Sequence, residues 1–139
     1  MISNICITGV HIQAQAETLG ARVIQVEKSI HALALLGHLA QADLQFIFKG
    51  GTSLLLHLSR IKRLSIDIDI MSDVADDELD EIMNHVSVLP PFIRSEKQNR
   101  GVLGKPARVN SGSKHELITF LSKGWKKKVI TFPRVRKKV

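Results

Sequence analysis

This 139-residue chain has little cysteine, few aromatics and no long apolar run: one Cys, no Tyr and one Trp. A lone Cys6 cannot build an internal disulfide framework; it reads as a small apolar residue in a cytoplasmic protein. No apolar run reaches the ~18 residues of a membrane helix, so no membrane partner is expected. The N-terminus lacks a basic segment and a cleavage site of the secretory kind. Gly-x-x-x-x-Gly-Lys-Ser/Thr is missing, which excludes a P-loop, and so is the Gly-x-Gly-x-x-Gly dinucleotide fingerprint. The six histidines never stand three or four apart, so none is assigned a catalytic or metal role. There is no internal repeat and no low-complexity linker. What remains, 44% apolar and 24% charged residues, fits one globular domain with a modest core.

Hydrophobic spacing predicts the elements. Residues 1–17 carry no strong pattern. Residues 18–41 predict one long helix that buries Leu19, Val23, Val26, Ile30, Leu33 and Leu36 or Gly37. A buried strand over 44–48, a short leucine-rich helix over 51–59 and a strand over 64–70 follow. Asp76, Asp77 and Glu78 then open a helix to about Val88, where acids suit the positive end of the dipole. Pro90 and Pro91 end it.

The strand at 64–70 reads Leu-Ser-Ile-Asp-Ile-Asp-Ile. Period two puts Leu64, Ile66, Ile68 and Ile70 on one face and Ser65, Asp67 and Asp69 on the other. The two carboxylates lie roughly 7 Å apart by Cα rise. Two like charges on a residue type that forms strands poorly make a locally unfavourable site, which a divalent cation would offset. Mg²⁺ is the natural candidate, since it takes one or two carboxylates and completes its shell with phosphate oxygens and water. Upstream, Lys49-Gly50-Gly51-Thr52 joins the strand at 44–48 to the helix at 51–59. Glycine allows close approach of a phosphate, and a helix N-terminus offers free N–H groups. Thr52 is expected to cap the helix or to touch a phosphate. A calcium loop counted from Asp67 fails, because Met71 and Ser72 fill its fifth and sixth positions, where a ligand and a glycine are needed.

In combination, Lys49-Gly50-Gly51-Thr52 followed by Arg63-x-Ser65-x-Asp67-x-Asp69 resembles the nucleotidyltransferases of the AbiEii/AbiGii toxin family, in the DNA polymerase β-like superfamily. Glu27-Lys28 with Leu35, Leu36 and Leu39 is similar to the helix before the first strand of that family. Phe92 to Gly104 resembles the segment after the active-site strand. The resemblance covers roughly residues 20–108. It implies an α/β (α+β) polymerase β-like core, a small mixed sheet flanked by helices. It also implies transfer of a nucleoside monophosphate from a nucleoside triphosphate to an acceptor such as tRNA or another RNA. Its carrier would be the toxin of a toxin–antitoxin or phage-defence system, with a cognate antitoxin. Carried over by position, Asp67 and Asp69 would be catalytic and bind Mg²⁺. Gly50, Gly51 and Thr52 would hold the triphosphate, with Lys49, Arg63 and Ser65 beside it.

The family also supplies a third carboxylate from a later strand. Here only Glu96, in a segment that reads as a polar loop, and Glu116, in one that fits a strand or a helix, remain; neither stands in a family-like context. Residues 1–93 hold six Lys and Arg against eleven Asp and Glu, a balance of −5. Residues 94–139 hold fourteen against two, a balance of +12. The texture changes near Arg108, so residues 1–108 are expected to form the family-like core. Residues 109–139 are expected to be a basic tail of uncertain structure, where the frame leaves the family and its C-terminal part is incomplete. The alternative function is then a truncated, catalytically impaired fragment that binds RNA through its basic groups, with Phe120 and Trp125 stacking on bases.

Overall fold

The computed structural model describes residues 2–61, 63–92, 94–98, 114–121 and 126–133. A short 3-10 turn at Asn4–Ile7 leads into α1 (Gly9–Leu19). Thr8 opens that helix: its hydroxyl accepts from the His11 N–H at 3.3 Å, an N-cap worth about 1 kcal/mol. Gly20 closes it at φ 60°, with the Ala21 N–H donating to the Ala16 carbonyl at 3.0 Å and the Gly20 N–H to Glu17 at 3.2 Å. α2 (Val23–Gln41) starts three residues later. The single helix expected over 18–41 is therefore two helices, and the unpatterned N-terminus is mostly α1.

The chain continues through β1 (Ile47–Lys49), α3 (Gly50–His57), β2 (Ile68–Met71) and α4 (Asp76–Ser87). β3 (Arg94–Gln98), β4 (Lys114–Leu121) and β5 (Lys126–Pro133) complete a mixed sheet in the order β1-β2-β4-β5-β3. β2 and β4 run parallel; the other neighbours are antiparallel. Four α-helices and this sheet make the described residues an α+β fold.

The sheet and helices meet in a core of Leu35, Leu39, Ile68, Ile70, Leu79, Met83, Val86 and Phe92. Ile68 and Ile70 are buried while Asp69 between them is half-buried, as alternation requires. A second cluster of Ile12, Ala16 and Val26 joins α1 to α2, and Leu64 packs against it. The buried stripe of α2 runs through Val26, His31, Leu35 and Leu39 and includes Glu27 and Ser29. Leu33 and Leu36, expected on that stripe, are only half-buried. His31 and His38 share a face of α2. Both rings meet the edge of Phe92, at centroid distances of 6.3 and 6.0 Å, and His38 Nε2 lies 2.9 Å from the Pro90 carbonyl. The turn after α4 is thereby fastened to α2.

Two expectations for the later segments change. Glu96 belongs to a strand, β3, rather than a loop, because β5 pairs with its backbone along Arg94–Gln98. Beyond residue 108, the segments 114–121 and 126–133 lie in the sheet as β4 and β5, with the Lys126–Lys128 run on β5. Arg108, Trp125 and the basic residues after Pro133 lie outside the described residues, as do positions 99–104 of the segment that begins at Phe92.

Candidate active site

β1 passes directly into α3, so Lys49 is both the last strand residue and the helix N-cap. Antiparallel pairing puts Lys49 opposite Asp69. Gly50 follows at φ 80°, a left-handed conformation that L side chains rarely adopt. A β-carbon there would lie 3.1 Å from Asp69 Cγ and would collide with Oδ2. At Gly51 a β-carbon would meet Ser65 Oγ at 3.0 Å. The glycine pair therefore lets the start of α3 close onto the strand that carries the acids. No side chain caps α3, and both glycines are exposed. The first two residues of α3 are thus open to solvent, and a helix N-terminus of this kind suits an anion.

The expectation for Thr52 changes. Its side chain is fully buried, and its hydroxyl donates to the backbone carbonyl of Asp67. It caps nothing and instead ties α3 to the residue before β2. Ser29 does the same from α2: its hydroxyl donates to the Ser65 carbonyl at 2.8 Å. Ser53 Oγ turns back to the Gly50 carbonyl at 2.7 Å. Residues 65–67 are thus held between two helices by side-chain hydroxyls. β2 itself begins only at Ile68. The predicted strand over 64–70 is half strand and half clamped extension.

An open cleft of about 900 Å³ lies along this segment. Gly51, Arg63, Ser65, Asp67 and Asp69 line it. Five of the eight residues singled out from the sequence therefore share one wall. Gly50 adjoins it through Asp69, Thr52 supports it from beneath, and exposed Lys49 stands across the ladder from Asp69. Leu64 and Ile66 line the cleft as well, so both sides of the expected alternation meet it before the strand begins.

Two carboxylates two residues apart are hard oxygen donors for a divalent cation. The Asp69 carboxyl group has its place because Gly50 has no side chain, and the chemistry of this donor pair is compatible with Mg²⁺. No group of three His, Cys, Asp or Glu side chains that could share a metal occurs among the described residues. The strand beside β2 is β4, whose register sets Phe120 opposite Asp69 and Thr119 opposite Ile68. Glu116 lies on β4 four positions before Phe120.

Sequence reasoning missed the opposite wall, made by Leu19, Gly20, Ala21 and Gln25 at the α1–α2 junction. The signal was present in Thr8 and Gly20, a capping residue and a helix-stopping glycine eleven residues of helix apart.

The comparison with known families agrees with this geometry. The family model described as nucleotidyl transferase AbiEii toxin, type IV toxin–antitoxin system, matches residues 34–115. No curated protein and no solved structure matches the chain. The family match takes in β1, the glycine turn, α3 and β2 with both aspartates, and it spans more than half of the sequence. The chain belongs to the AbiEii family of nucleotidyltransferase toxins of type IV toxin–antitoxin systems.

Proposed function

We propose that the chain transfers a nucleoside monophosphate from a nucleoside triphosphate to an acceptor, with tRNA the first candidate, as the toxin of its system. The observation that carries this reading is the shared wall: Gly51, Ser65, Arg63, Asp67 and Asp69 in one cleft. In the reaction a bond forms between the acceptor and the α-phosphorus, the bond to the leaving pyrophosphate breaks, and the acceptor gives up a proton.

Gly50 and Gly51 receive the triphosphate at the start of α3, where N–H groups and the helix dipole favour an anion. Arg63 on the rim adds a planar donor fork for phosphate oxygens, and Lys49 adds a point charge. Ser65 lies against Gly51 and flanks the phosphates. Thr52 acts as a positioning residue, fixing the backbone of Asp67 relative to α3. Asp67 and Asp69 hold Mg²⁺, which when bound neutralises phosphate charge and polarises the phosphoryl group. Fixing the reacting groups in line carries much of the remaining rate.

The test is incubation of the purified chain with labelled nucleoside triphosphates, Mg²⁺ and bulk tRNA. Label transfer that Asp67→Asn and Asp69→Asn abolish supports the reading. Transfer that survives both substitutions overturns the site. The basic run Lys126–Lys128 on β5 favours the alternative of an RNA-binding module. Salt-sensitive RNA binding with no transfer of label would select it.

A further inference from the structure

The cleft has a second end of opposite chemistry. Leu19, Leu54, Leu58 and Ile61 line it, each between 37% and 55% exposed. They come from the end of α1, from α3 with its C-cap, and from the segment that leads to β2. Several large aliphatic side chains around one concavity mark a place where something apolar binds.

α3 connects the two ends. Gly51, Leu54, Leu55 and Leu58 stand at helical spacing, share one face, and all line the cleft. The rise from residue 51 to residue 58 is about 10 Å, comparable to the reach of a nucleotide from its phosphates to its base. No aromatic ring is among the described lining residues, so the wall offers aliphatic packing rather than stacking. Gln25, exposed on α2, adds an amide with both donors and an acceptor.

We infer that the apolar end of this cleft binds the nucleobase of the donor triphosphate, its flat face against Leu54 and Leu58 and its edge toward Gln25. The inference rests on the nucleotidyltransferase reading above. The donor's base is favoured over an acceptor's because one helix face carries both the phosphate-side glycine and the leucines. Aliphatic contact is similar for every base, so discrimination among the four nucleotides is modest and resides in Gln25.

Calorimetric titration of the full chain, with Mg²⁺ and no acceptor, tests this with two kinds of probe: the four nucleoside triphosphates and inorganic tripolyphosphate. Wild type should bind the nucleotides about tenfold or more tighter than tripolyphosphate. Leu54→Ser and Leu58→Ser should each weaken all four nucleotides by up to about tenfold and leave tripolyphosphate unchanged, which also certifies the fold. Gln25→Ala should alter the ranking of the four nucleotides only.

Nucleotide binding unaffected by the serine substitutions would overturn the inference while leaving the nucleotidyltransferase reading intact. So would equal wild-type affinity for nucleotides and tripolyphosphate. Loss of tripolyphosphate in the serine variants would also overturn it, since the wall would then shape the phosphate end. Wild type that binds neither probe would sink both readings.

Discussion

Gly50 and Asp69 compete for the same space: the side-chain position that Gly50 leaves empty is filled by the Asp69 carboxyl group. Glycine is therefore required there twice, by the left-handed backbone and by the acid. Gly50→Ala should cost about 1–2 kcal/mol in backbone conformation and should displace Asp69 as well. Urea unfolding will report the first effect. Loss of Mg²⁺-dependent nucleotide binding, beyond what the stability change explains, will report the second.

The buried hydroxyl of Thr52 donates to the Asp67 carbonyl. Thr52→Val keeps the shape and withdraws this hydrogen bond, at about 1–3 kcal/mol. Thr52→Ser keeps the bond and loses one methyl, about 1 kcal/mol. Unfolding free energies should therefore rank wild type above serine and serine above valine. Equal losses for both variants would mean that the hydrogen bond contributes nothing.

Asp69 faces Lys49 across the ladder and stands two residues after Asp67. Loss of its charge removes one attraction and one repulsion, each under about 1 kcal/mol. Asp69→Asn should thus leave stability within about 0.5 kcal/mol of wild type while lowering label transfer by about a hundredfold or more. Thermal unfolding adds a second signature. Mg²⁺ with a nucleoside triphosphate should raise the midpoint of wild type and not that of the variant.

Phe92 is buried against both His31 and His38 and does not line the cleft. Phe92→Ala should cost about 3 kcal/mol through the cavity left between α2 and the turn after α4. Below its unfolding midpoint, nucleotide affinity per folded molecule should match wild type. A selective loss of nucleotide affinity would show that this corner is coupled to the cleft.

The acidic pair and the glycine turn were readable because each leaves a local mark: period-two alternation around Asp67 and Asp69, and two adjacent glycines between a strand and a helix. α1 left a weaker one. Only Ile12 and Ala16 of its residues are buried, so its apolar stripe is thin, and its end signals Thr8 and Gly20 had to be read alone. β3 left none: Arg94, Ser95, Glu96, Lys97 and Gln98 contain no apolar residue. It is a strand because β5 supplies its hydrogen bonds, and its charge suits a sheet edge, where it discourages pairing with other chains. The far wall of the cleft was illegible for another reason. Gln25 and Asp69 are distant in sequence, and only the packing of α1 and α2 over Leu64 brings them to one space.

β1 is three residues long and lies at one end of the sheet, and it hands the chain to α3 without a loop. Short edge strands open at low free energy, independently of the core. The glycine turn is therefore expected to open more readily than the core, while Asp69 opposite it sits between two of the most deeply buried isoleucines. A bound triphosphate would bridge a soft element and a hard one, and amide exchange should slow most on β1 and the first turn of α3. The glycine turn would then act as a hinge that a ligand locks.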